Sequence, residues 1–176
     1  MTSRAKRGAG PTRERGLSSP RVSVALRALS PAAAPWLDPW LRTAAASVTH
    51  DATTTAALLA RTKRDRTLRL RIIERDAQPV GIVIYRINTP KRGSAIFELI
   101  ATPPREARRG AGMIAAALAE DEMRAANIHT AFAPAAAAHG ISMYFWIRLG
   151  YAPQLRDQWP CDRKDVAWLR RSLTTP

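Results

Sequence analysis

Residues 100–112 read IATPPREARRGAG. The stretch leaves an apolar run and enters MIAAALAEDEMRAA (113–126), where Ile114, Ala117, Leu118 and Ala125 recur at helical spacing with Glu120 and Glu122 on the polar side. It therefore joins a strand to a helix. Gly110 and Gly112 let backbone approach a ligand, and the first turn of a helix offers unpaired amides whose partial positive charge suits a phosphate. Arg108 and Arg109 add full charges. The spacing is not that of a Walker loop, since G-x-x-x-x-G-K-[ST] is absent, nor of a dinucleotide fingerprint, since the third glycine and the downstream acid are missing. Taken alone, a G-x-G at a helix start also serves a loop that only needs tight geometry, so the surrounding chain has to decide.

Upstream, TLRLRIIE (67–74), PVGIVIYRI (79–87) and SAIFELIAT (94–102) read as three strands separated by short turn-rich segments, which implies an antiparallel meander. Before them, Val22, Val24 and Leu26 alternate with polar or small residues as a first strand. Ser30 and Pro31 mark the start of a helix that Pro35 and Pro39 should break or kink, and a second helix is expected over about 50–63, with Asp51 near its start. Downstream, IHTAFAPA (128–135) reads as a strand and HGISMYFWIRLG (139–150) as a short helix ended by Gly150. A last strand, DVAWLRRSL (165–173), follows an irregular stretch. The expected class is α+β, a mostly antiparallel twisted sheet flanked by helices.

The chain has 176 residues, 46% of them apolar and 24% charged, which suits one globular domain with an appendage. The appendage is residues 1–19, a basic arm in which Arg4, Lys6, Arg7, Arg13 and Arg15 face Glu14 alone among glycines and a proline; residues 20–176 form the domain. Those glycines and Pro11 spoil the amphipathic helix of a transit peptide, and neither a secretory signal nor a membrane-length apolar run is present, so a cytoplasmic protein is expected. The single cysteine, Cys161, and the scattered His50, His129 and His139 show no metal-ligand spacing. A net charge of +14 favours an anionic partner, such as nucleic acid, an acidic protein surface or a phosphorylated cofactor, although a GC-rich coding bias also enriches arginine and alanine.

Residues 100–112 resemble, without a gap, the strand, loop and helix motif of the GCN5-related N-acetyltransferase (GNAT) superfamily, whose core is [RQ]-x-x-G-x-[GA]; Gly110 and Gly112 take its small positions and Ala107 stands where arginine or glutamine is preferred. HGISMYFWIRLGY (139–151) resembles the family's second motif, N-x-x-A-x-x-F-Y-x-x-x-G-F, with Phe145, Leu149, Gly150 and Tyr151 in place and His139 at the asparagine. VALRALSPAAAPWL (24–37) looks like the family's opening strand and helix, and Pro79-Val80-Gly81 like the usual start of its third strand, so the resemblance spans about residues 20–173.

The resemblance implies a site for acetyl-coenzyme A. Backbone amides of Arg108, Arg109, Gly110, Ala111, Gly112 and Met113 would surround the pyrophosphate, and Ile100, Ala101 and Thr102 would pair with the pantetheine arm. It also implies a base for the acceptor amine, for which Glu98 is the candidate: it matches a glutamate that some members use, and burial on an apolar strand would raise the pKa of a carboxylate. The position of the tyrosine that protonates the departing thiolate holds Trp146, and Tyr144, two residues away, lies about 200° around a helix. Two functions are therefore expected: an acetyl-coenzyme A dependent N-acyltransferase acting on an amine, or a catalytically silent subunit of a large assembly, a virion or ribonucleoprotein particle, anchored by the basic arm.

Overall fold

The computed structural model describes residues 23–46, 54–136, 140–163 and 165–174. The basic arm, Val22, His50, Asp51 and His139 lie outside these residues.

A seven-stranded sheet carries the fold, in the order β1-β2-β3-β4-β5-β7-β6. The strands are β1 (Val24–Ala28), β2 (Leu68–Arg75), β3 (Gln78–Ile87), β4 (Ser94–Ala101), β5 (Thr130–Ala136), β6 (Ala152–Pro153) and β7 (Val166–Ser172). Strands β1 to β4 pair antiparallel with their sequence neighbours, β2, β3 and β4 through short connections and β1 with β2 across the α1–α2 segment, and β4 pairs with β5 in parallel. Four helices flank the sheet: α1 (Ala34–Ala46), α2 (Thr55–Arg64), α3 (Ala111–Ala125) and α4 (Gly140–Arg148).

Alternation along the strands sorts side chains to two faces. Val83, Tyr85, Ala95 and Phe97 pack with Ala116, Ala119 and Met123 of α3 and with Trp146 of α4. Ile82, Ile84 and Leu99 pack on the other face with Leu37 and Leu41 of α1 and Leu58 of α2. A bulge shifts the β3–β4 register, Tyr85 opposing Phe97 while Ile84 opposes Leu99, so Glu98 is the extra residue. That is why Phe97 and Leu99, two apart, face opposite sides.

The helix expected after Ser30 comes in two pieces, a 3₁₀ turn at Pro31–Ala33 and then α1, and α1 continues through Pro39, where Leu37 and Leu41, both fully buried, hold it to the sheet. Ser30 makes no side-chain cap; the capping side chain is that of Thr54, which accepts from the Ala57 amide at 3.1 Å and starts α2 later than expected. The rotation of α3 also differs. Its buried face is a row of small residues, Ala111, Ala115, Ala116 and Ala119, with Met123, while Ile114 is 45% exposed and Glu120 only 1% exposed.

Glu120 is stabilised there by Tyr151, whose hydroxyl donates at 2.8 Å, and by Arg171 at 2.9 Å and Arg124 at 3.3 Å. On the same face, the hydroxyl of Tyr85 donates to Glu122, which also pairs with Arg71 at 2.9 Å. Burial first, then the adjacent carboxylate, pushes both phenols well above their ordinary 10.0. Below pH 10.0 the folded and unfolded states bind these protons equally; above it the unfolded chain loses what the folded chain keeps, so stability falls as pH rises. The expected slope from Tyr151 is about −1.4 kcal/mol per pH unit. Urea unfolding from about pH 9 to about pH 11 should show the combined slope of the two phenols, and Tyr151→Phe should remove the Tyr151 share and leave that of Tyr85.

Candidate active site

The parallel β4–β5 ladder is short. Its register runs Ser94↔Thr130, Ala95↔Ala131 and Ile96↔Phe132 and stops, although β4 continues to Ala101 and β5 to Ala136. Beyond it β5 stays paired on its other side, with β7, through Ala136↔Val166. The two strands therefore separate and leave a cleft between them. At the register's offset, Glu98 would stand across from Pro134: one strand bulges and the other carries a residue with no N–H at the same level.

At the mouth of the cleft stands the 107–112 loop. The amides of Arg108, Arg109, Gly110, Ala111 and Gly112 have no hydrogen-bond acceptor among the described residues. The Met113 amide turns back to the Gly110 carbonyl at 3.1 Å, so the cradle ends at Gly112 rather than including Met113. Arg108 and Gly110 have φ of 63° and 80°, left-handed values of the kind found where successive backbone amides form an anion-binding concavity. A Cβ at Gly110 would meet nothing within 4 Å, so its glycine is required by backbone conformation and leaves open space above. Arg75 fixes the loop from beneath, pairing with Glu106 at 3.0 Å and donating to the Arg109 carbonyl at 3.1 Å. The Arg108 and Arg109 side chains are exposed beside it.

Ile100 of β4, Gly112 of α3 and Phe145 of α4 converge at the same mouth: a Cβ on Gly112 would lie 3.6 Å from Ile100 and 3.7 Å from Phe145. Ala101 and Thr102 are held by Gly81 of β3, where a Cβ would meet the Ala101 carbonyl at 2.6 Å and Thr102 Cγ2 at 2.9 Å. That close approach gives the Pro79-Val80-Gly81 stretch its physical reason. The expected cofactor residues, except Met113 as an amide donor, thus lie along one path from the helix N-terminus into the cleft.

Glu98 lies on the opposite face, toward α2. One carboxylate oxygen accepts from Arg61 at 3.0 Å and the other from Arg86, and the side chain is 13% exposed. It lines a cleft of about 250 Å³ with Arg86, Thr89, Ile96, Arg163 and Trp168. A wider cleft of about 390 Å³, between β1, α2 and β2, touches none of these residues.

Trp146 is 4% exposed and its ring packs against Phe97, Phe145 and Tyr151 at centroid distances of 5.1, 4.9 and 5.1 Å. Its indole N–H donates to the Pro134 carbonyl at 3.0 Å. Tyr144 is 61% exposed, with the Arg148 guanidinium 5.7 Å from its ring centroid, and so points away from the cleft.

No family model matches the chain, and no curated protein matches it in sequence. Solved structures match it in shape. An acetyltransferase of the GNAT family from Staphylococcus aureus superposes with a TM-score of 0.68 at 10% identity, over 86% of this chain and 100% of that one. PaiA N-acetyltransferase from Thermoplasma acidophilum, in complex with coenzyme A, gives 0.66 at 13% identity, over 85% and 99%. N-acetylglutamate synthase from Neisseria gonorrhoeae, complexed with coenzyme A and N-acetyl-glutamate, gives 0.70 at 16% identity, over 87% of this chain and 36% of that longer one. The chain has the GNAT fold.

Proposed function

We propose that this chain is an acetyl-coenzyme A dependent N-acyltransferase acting on an amine. The observation that carries the reading is the row of five amides, from Arg108 to Gly112, that have no acceptor among the described residues and stand at the mouth of a cleft where β4 and β5 part. The open space over Gly110 and the exposed Arg108 and Arg109 fit a pyrophosphate, and the length of β4 that has left β5 fits the amides of a pantetheine arm. Acetyl-coenzyme A, when bound, supplies a thioester whose acyl carbon accepts an amine.

The chain's own residues divide the remaining work. The amides of 108–112 hold the phosphates and the two arginines offset their charge. The Ile100–Thr102 end of β4, kept in place by Gly81, orients the arm. Glu98, on the face opposite the loop, takes the acceptor's proton directly or through a water, on a lone pair that its contacts with Arg61 and Arg86 leave open. The guanidiniums of Arg61, Arg86 and Arg163 are matched there by Glu98, Asp65 and Asp165, so the acceptor cleft has no surplus negative charge to draw a polyamine.

The test is free-thiol release from acetyl-coenzyme A across a panel of amines. Saturable release that requires an amine supports the reading; binding of the cofactor with no release for any amine would leave the second reading. That second reading, a silent subunit held by an anionic partner of the basic arm in a nucleic-acid-containing assembly, is favoured by one feature: the N–H of Trp146, at the position where the resemblance expects a tyrosine, is committed to the Pro134 carbonyl.

A further inference from the structure

Parallel strands exchange hydrogen bonds through every second residue. Thr130 donates its amide to the Gly93 carbonyl, so on β5 the residues aimed at β4 are Thr130, Phe132 and then residue 134. Residue 134 is Pro134, the first position beyond Ile96↔Phe132 at which β5 would have to donate again. Proline has no N–H to give, and is otherwise excluded from interior strands. Its carbonyl, the acceptor of the same ladder step, is already used: Trp146 donates to it at 3.0 Å. Neither half of the next step can form. Pro134 is buried, so this is not a frayed strand end, and its continued pairing with Trp168 of β7 shows that β5 itself stays in the sheet.

We propose that Pro134 and Trp146 are positioning residues that hold the cleft open from the β5 side, one by withholding a donor and the other by occupying an acceptor, so that β4 keeps its free edge for the cofactor. The bulge at Glu98 completes the break from the β4 side at the same level. Trp146 is thereby given work other than proton donation: its ring fills the space between Phe97 and Tyr151 beneath the parted strands, and its N–H removes a buried carbonyl from competition. A tyrosine there could donate to a leaving group but would leave the strand carbonyl free.

The inference rests on the acyltransferase reading for its meaning, but its structural half can be read without any cofactor. Pro134→Ala restores the missing N–H. The expected result is amide exchange slowed about tenfold or more, confined to residues 97–101 and 133–136, with coenzyme A affinity lowered at least about tenfold as the cleft closes. Trp146→Phe, which keeps a ring and frees the carbonyl, should move both readouts in the same direction by about threefold, and serves alone if Pro134→Ala does not fold. Exchange at 97–101 and affinity both unchanged in a folded variant would overturn the proposal. Slowed exchange in a protein that never bound coenzyme A would uphold the role of these residues in the strand break while sinking the acyltransferase reading.

Discussion

Glu120→Ala should cost about 3 kcal/mol of stability, the largest effect expected from a residue that touches neither cleft. The carboxylate is almost fully buried on the sheet side of α3 and receives the Tyr151 hydroxyl and the guanidiniums of Arg171 and Arg124. Truncation leaves the buried phenol without an acceptor and removes the counter-charge of Arg171, while Arg124 keeps its pair with Asp121 at 2.6 Å. Those arginines keep 33% and 35% of their side-chain surface exposed and can turn to water, which places the cost at the lower end for a broken buried pair. The network also has a functional side: Arg171 donates to the Leu149 carbonyl at 2.7 Å, tying the end of α4 to β7 and, through Glu120, to α3. Since α3 and α4 carry the two sides of the cleft mouth, the variant should also bind coenzyme A more weakly. Urea unfolding gives the first number; a loss under about 1 kcal/mol would mean that the network is relaxed by solvent.

Glu98→Gln should lower amine-dependent thiol release by a factor of about 10² to 10⁴, the range of a general base, with coenzyme A affinity unchanged. The amide keeps the size of the side chain and one acceptor oxygen, so Arg61 and Arg86 retain part of their contact. Affinity is the control, because Glu98 faces α2 and the 250 Å³ cleft rather than the 107–112 loop. A fall of less than about tenfold would assign Glu98 to holding the arginines and leave the acceptor without a side-chain base.

Most of the frame was legible in the sequence because strands and turns here are local matters: alternation in 67–74, 79–87 and 94–102 and the short turns between them dictate the meander that β2, β3 and β4 form. The 107–112 loop was legible for the same reason, since glycines before a helix carry their conformation with them. The phase of α3 was not. Its large apolar residue, Ile114, suggested a face that the helix turns outward, because alanines let the helix lie close to the sheet and the sheet-facing row is made of them. The helical pattern alone puts Glu120 on the polar face, because its partners Tyr151 and Arg171 are 31 and 51 residues away. Glu98 was placed by position alone, and its pairing with Arg61, 37 residues away, is equally non-local. Pro134 was the one missed signal that the sequence did contain: a proline in the middle of IHTAFAPA argued against an ordinary interior strand and marked where the ladder ends.

The central claim is that the parted strands and the 108–112 amides form a working cofactor site. Calorimetric titration of the folded protein with acetyl-coenzyme A tests it most directly, run beside Gly110→Val, whose side chain would enter the open space over the loop and strain a backbone at φ 80°. The expected result is micromolar binding, about −8 kcal/mol, that falls at least about a hundredfold in the variant. No detectable binding by the folded wild-type protein would contradict it.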